Sequence, residues 1–485
     1  MLFNSSAFLA FYVVFFPVYW AIHRNIPARN ALILIGSYIF YGSWDWRFLS
    51  LIFISTVFDY YCGQKIHSSS NDKIRKSFLA LSIIVNLGIL GIFKYFGFFV
   101  SSFIDLMSII GIHANFTTIS IILPVGISFY TFQTLSYTLD IYKKNLTPTS
   151  NFLSFAAFVA FFPQLMAGPI ERAKALLPQF ESRRIFDFVQ FRNGLYLILW
   201  GLVKKTLIAD RLAVYVDIVY ADPSSFTAEQ CLVATLFFAI QIYCDFSGYS
   251  DIARGLGKTL GFELMVNFKT PYFSSSIREF WQRWHISLST WFRDYVYIPL
   301  GGSRESSFIL KRNILITFLL SGLWHGAAYT FIIWGLIHAL GYFLDPHTKI
   351  HNQKLLNSPI LYKLSGLIWT ITFVTLAWIF FRANSLEDAN IVLLNIISII
   401  PGLDYLSTST SSPSIIVGMN NTEFILSLYF LCLLFITEYL IKDKDIDTFT
   451  SNIPILTRWI FSWFLLANLI VFSPTDTGAF IYFQF

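Results

Sequence analysis

The chain has 485 residues, of which 55% are hydrophobic and 13% charged, with 53 Phe, 25 Tyr and 13 Trp and a mean hydropathy of +0.61. Soluble domains carry about 25% charged residues, and so little charge could not cover a water-facing particle of this size. Disordered and coiled-coil chains are excluded with it, and the sequence reads as an integral membrane protein with no call for a nucleic-acid partner.

Apolar runs recur at 2–22, 77–93, 195–208, 232–243, 313–324, 330–344, 366–381, 424–440 and 455–472. A spanning helix needs about 20 apolar residues and a barrel strand about 10 with strict alternation. These runs do not alternate, so the predicted fold class is all-α and polytopic. Several are too short to span unless they end in a locally thinned bilayer. Beside Gly and Pro, such short runs point to re-entrant segments lodged in protein or a cavity.

The amino terminus lacks the basic n-region and cleavage site of a signal peptide, so the first helix is expected to remain as an anchor. The four cysteines (Cys62, Cys231, Cys244, Cys432) form no C-x-x-C pair, which argues against a disulfide framework, a zinc site or a thiol catalyst. Lys and Arg on short loops mark the cytoplasmic side: Arg24 and Arg29, then Lys65, Lys73, Arg75 and Lys76, then Lys174, Arg183, Arg184 and Arg192. No Lys or Arg falls between Arg382 and Lys442, which puts the Ser/Thr-rich loop 401–422 outside. Lys442 and Lys444 return inside, and the last helix carries an extracytoplasmic tail, 473–485, back out. The organisation predicted is one membrane domain, 1–485, in a multi-pass topology.

The densest polar region, 278–312, holds six cations (Arg278, Arg283, Arg293, Arg304, Lys311, Arg312) and three anions, interleaved with Trp281, Trp284, Trp291, Tyr295 and Tyr297. It reads first as an amphipathic or re-entrant segment at the cytoplasmic face, with an aromatic belt and snorkelling arginines. Its guanidinium groups, Arg283 and Arg293 among them, could also draw in a phosphorylated ligand.

Of the eight histidines, His23, His67, His113, His347 and His351 fall in predicted loops or at helix ends, where a solvated imidazole is the default. His325 differs. It sits in Ser321-Gly322-Leu323-Trp324-His325-Gly326-Ala327 between two apolar helices, and a titratable group at membrane depth is a functional candidate by default. The competing reading is a neutral histidine bonded across helices. His338 suits packing, and His285 lies at the edge of the aromatic and basic segment. No H-E-x-x-H occurs, and two isolated histidines make a poor metal site. A buried histidine, a second one nearby and a cationic mouth suit general-base activation of a hydroxyl against a thioester, where orientation and exclusion of water supply the rest.

The chain resembles the membrane-bound O-acyltransferase (MBOAT) family, most of all its bacterial branch concerned with alginate O-acetylation. The resemblance rests on LPVGISFYTFQTLSYTLDIY (123–142), AGPIER (167–172), YCDFSGYSDIA (243–253), IREFWQRWHISLSTWFRDYVYIPLGGSR (277–304) and SGLWHGA (321–327). It implies a ring of about 11 tilted transmembrane helices around a central tunnel, narrowed by re-entrant segments, in the inner membrane. It implies that His325 is the family's key histidine and His285 its second polar position. The donor would be a cytoplasmic thioester, acetyl-CoA in this branch, with no tightly bound cofactor. The acyl group would end on an exported polysaccharide through an extracytoplasmic esterase-fold partner with a serine nucleophile. Asp245 and Asp251, within a family block, read as structural acids linking helices.

Two rival readings remain at this point: D-alanyl transfer from a carrier protein to teichoic acid, as in a related branch, and a glycan flippase without chemistry. The flippase would need several ionisable residues along its helices, whereas the histidines look nearly alone. The C-terminal Phe480-Ile481-Tyr482-Phe483-Gln484-Phe485 is similar to the end of a short partner protein of teichoic-acid D-alanylation, whose tyrosine is assigned the role of acyl carrier. By that resemblance Tyr482 is a third candidate catalytic residue.

Overall fold

A computed structural model describes residues 1–112, 121–304, 306–347, 358–407, 414–442, 444, 446–474 and 480–481. Tyr482, His113 and His351 lie outside the described residues. Among the described residues every regular element is helical. Six helical stretches are long and apolar enough to cross a membrane: Asp72–Ile109, Ala228–Thr259, Ser307–His325, Ile360–Arg382, Asn421–Ile441 and Ile455–Phe472. The shorter Ser6–Ile22 and Tyr329–Leu344 are also apolar. The protein is a multi-pass membrane protein.

Local chemistry sets the helix ends. Ser5, Asn25, Asn71, Ser306 and Asn420 each precede a helix and accept a hydrogen bond from one of its first backbone N–H groups, satisfying a donor that has no intrahelical partner. The last helix, Ile455–Phe472, coincides with its apolar run, and Trp459, Trp463, Ile470 and Val471 on it are exposed. In a membrane protein such an outward apolar face is the lipid-contacting one.

The helix Ala228–Thr259 runs well beyond the apolar run that announced it. Its second half carries Asp245, Asp251 and Lys258, and these charges are paired: with Lys205 at 2.6 Å, Lys204 at 2.5 Å and Glu263 at 3.0 Å respectively. A paired charge is tolerated in the interior where a lone one is not.

The chain forms two compact units. The first comprises Met1–Ile198 and Ile252–Met265. Its interior is held by polar contacts between helices: Asp59 accepts from Ser82 Oγ at 2.6 Å and from Asn86 Nδ2 at 2.8 Å. Arg29, fully buried, donates to the carbonyls of Phe180 at 2.6 Å and Ser182 at 2.8 Å. The second comprises Leu199–Asp251 and Val266–Phe485 and contains both candidate histidines within a core rich in Trp and Phe.

Candidate active site

The site in the second unit is built from three pieces of chain. The first is a hairpin of two helices, Ser307–His325 and Tyr329–Leu344, which ends in His325 at its turn. The two backbones approach closely because glycine stands at the contacts. A Cβ on Gly322 would lie 2.2 Å from the Phe331 carbonyl oxygen, and one on Gly335 would lie 2.4 Å from that of Phe318. This close fit fixes the backbone that carries His325. Its ring, 2% exposed, lies edge-on to Trp324, Trp334 and Phe381 at centroid distances of 5.0, 5.1 and 5.2 Å.

The second piece is the segment around His285. Helix Ile277–Arg283 is capped by Ser276, whose Oγ accepts from Glu279 N, while Glu279 Oε2 accepts from Ser275 N and Oγ. It stops at Trp284, and a new helix, Ile286–Phe292, starts after His285. His285 makes the turn in a left-handed conformation, φ 42° and ψ 54°. A non-glycine residue there is costly and persists only where its surroundings over-determine it. Here Asn267 does much of that: its carbonyl accepts from Ile286 N at 2.9 Å. Its Oδ1 meets His285 Nδ1 at 3.2 Å and accepts from Ser287 N and Oγ at 3.2 and 2.9 Å. Asn267 Nδ2 in turn donates to Ser250 Oγ at 3.2 Å. With Oδ1 as its acceptor, Nδ1 carries the proton and Nε2 the basic lone pair. Burial holds the His285 imidazole well below its ordinary value, so the ring is neutral.

The two histidine rings stand 6.2 Å apart, and each packs against Trp324. The third piece is the end of the chain. Phe480 and Ile481 are buried, 1% and 3% exposed. Phe480 packs on Phe246 at 6.0 Å, and Phe246 lies edge-on to His285 at 4.6 Å. Ile481 N donates to Asp245 Oδ2 at 2.7 Å.

The remaining candidates separate. Arg283 is bound to Glu279 at 3.0 Å and reaches the Lys269 carbonyl, tying helix to loop. Arg293 keeps an exposed guanidinium beside Asp294, at 2.8 Å. His338 accepts from Trp281 Nε1 at 3.3 Å, in keeping with packing. The histidines are not nearly alone among buried ionisable groups. Lys205 bridges Asp210 at 2.8 Å and Asp245 at 2.6 Å, Lys204 pairs with Asp251, and Tyr243 donates to Glu438. These are mutually paired, a bracing network rather than a polar conduit. Reading the residues in order missed Asn267, which lies 18 positions before His285 with no motif to mark it, and the contact of Asp245 with the tail.

A profile of the membrane-bound O-acyltransferase (MBOAT) family matches residues 43–387. That stretch contains both histidines, and the chain belongs to this family; it is an O-acyltransferase. It is 43% identical over 394 residues to the Probable alginate O-acetylase AlgI of Pseudomonas aeruginosa, covering 80% of this chain and 73% of that one. It is 36% identical over 432 residues to the Peptidoglycan O-acetyltransferase of Helicobacter pylori, covering 82% and 80%. Similarity to the Teichoic acid D-alanyltransferase of Bacillus subtilis is lower, 27% over 230 residues, covering 44% and 57%.

Proposed function

We propose that the protein transfers an acetyl group from cytoplasmic acetyl-CoA across the inner membrane for O-acetylation of an exported glycan, alginate or a similar envelope polymer. The observation that carries the reading is the buried pair, His285 and His325, within one aromatic wall. Acetyl rather than D-alanyl transfer is favoured because the resemblance to the alginate and peptidoglycan enzymes extends over most of the chain, and that to the D-alanyltransferase over less than half of it. In this reading about 11 tilted helices ring a tunnel, and Arg293 and Arg283 at its cytoplasmic mouth receive the phosphates of coenzyme A.

His325 acts as general base, with His285 beside it. The acceptor in this reading is the phenol of Tyr482, which follows directly on the anchored Ile481. His325 takes the phenolic proton, the oxygen attacks the thioester carbonyl, and a C–O bond forms as the C–S bond breaks. The proton then passes to the departing thiolate. A phenol of pKa near 10 leaves far more readily than a sugar hydroxyl, so the aryl ester keeps its transfer potential. The serine of an extracytoplasmic partner then takes the acetyl group, restores the phenol and passes the group to the glycan.

His325→Ala should remove polymer acetylation while the protein still inserts and accumulates. Loss of a general base costs roughly 10²–10⁴-fold in rate. Near-normal acetylation of the polymer in cells that contain the variant at the parent's level would rule out this assignment.

A further inference from the structure

Lys204 and Lys205 of the second unit lie side by side in sequence, yet both pair with acids of the same helix, Ala228–Thr259. Consecutive residues of an α-helix diverge by about 100°. Here they fall in a π-helical turn, Val203–Ala209, and such widened turns gather at functional sites. Lys204 is spent on Asp251 and Ser247, at 2.5 and 3.0 Å. Lys205 is shared between Asp210 and Asp245. Asp245 therefore has one oxygen fixed by an ammonium and the other, Oδ2, turned to the backbone N–H of Ile481 across 236 residues of sequence, at 2.7 Å. A charged acceptor, itself braced, holding one N–H of a terminal segment is more than helix linkage requires. Phe480 supplies the apolar half of the grip, on Phe246, next to Asp245, at 6.0 Å and on Tyr249, one helical turn along, at 5.0 Å. Phe246 in turn touches His285.

We propose that Asp245, braced by Lys205, is a positioning residue: it latches Phe480-Ile481 one ring away from His285, with Phe480 as the plug. The latch combines a hydrogen bond to the backbone N–H of Ile481 with ring packing on Phe480. Its importance for acyl transfer rests on the carrier reading of Tyr482, whereas the latch itself does not.

The test reads the seat of the tail directly. In the full-length protein in detergent, with the exposed Cys432 replaced by Ser, Ile481→Cys is labelled with N-ethylmaleimide over time; the Cys432→Ser chain alone gives the background of the three buried cysteines. Burial should make the introduced thiol slow to react. Asp245→Ala leaves Lys205 paired with Asp210, so the ammonium is not orphaned. It should raise the labelling rate by at least about tenfold, the scale of losing a hydrogen bond to a charged acceptor. Asp245→Asn, which keeps an oxygen for the N–H, should restore protection. Phe480→Ala, which does not touch the ionic network, should also open the segment and serves if Asp245→Ala fails to accumulate. An unchanged labelling rate in both Asp245→Ala and Phe480→Ala overturns the latch. Faster labelling with polymer acetylation lost supports both the latch and the carrier. Faster labelling with full acetylation leaves the latch standing and removes Tyr482 as the acyl carrier.

Discussion

At the scale of a residue, His285 shows how a site can be built from a conformation that a sequence does not announce. Its left-handed backbone and the bond of its Nδ1 to Asn267 fix how the ring is presented. The same burial has a consequence for stability. The unfolded chain binds a proton at His285 as pH falls below about 6.5, while the folded chain holds this imidazole neutral well below that value. The unfolded state thus binds more protons, and stability rises with pH through this window. The contribution is complete above the ordinary histidine value and is lost as pH falls beneath it. The thermal midpoint in detergent should therefore drop between pH 7 and pH 5. His285→Asn, which has no proton to gain, should show a shallower drop. Parallel curves for the two proteins would mean that other groups set the acid sensitivity.

At the scale of an element, the apolar runs made the helices legible: 313–324 and 330–344 became Ser307–His325 and Tyr329–Leu344. The run 455–472 became the helix Ile455–Phe472. What hydropathy could not carry was the pairing of charges. Asp245, Lys205 and Asp210 look like breaks in an apolar pattern until the fold brings them together. Asn267 and the contact of Asp245 with Ile481 escaped for the same reason, since the partners are distant in sequence. The glycines of the hairpin are legible only in part, because the need for Gly322 comes from the Phe331 carbonyl of the neighbouring helix. Gly322→Ala would drive a methyl into that carbonyl, and the backbone cannot yield as a side-chain end would. Overpacking of this kind costs about 1–3 kcal/mol, and the strain falls one turn before His325. The variant should insert yet lose acetylation out of proportion to its fall in thermal midpoint. A variant with the parent's midpoint and activity would show that the hairpin can spread without moving the histidine.

At the scale of the whole molecule, the proposed function joins a donor on one face of the membrane to a polymer on the other, and in that reading a thioester as large as acetyl-CoA need not cross. A short segment of the chain itself can make the passage if it carries a nucleophile and is held lightly. Phe480 and Ile481 are buried, with Phe246 standing between Phe480 and His285, and Tyr482 is the next residue in sequence. A phenol is the side-chain hydroxyl whose ester best preserves the potential of the thioester, because its pKa near 10 lies far below that of an alcohol. On this argument Tyr482→Phe, which deletes one oxygen and keeps the ring, should leave insertion and thermal stability unchanged and stop polymer acetylation. Deleting the extracytoplasmic partner that the proposed function calls for should have the opposite effect on the intermediate: with no serine to receive it, the acetyl group should accumulate on Tyr482. Mass spectrometry of the C-terminal peptide would then find an added acetyl group in the parent chain and none in Tyr482→Phe or His325→Ala. Full polymer acetylation by Tyr482→Phe, or a bare tyrosine in the partner-deleted strain, would reduce the segment to a docking element and leave the histidine pair to pass the acetyl group to a different hydroxyl.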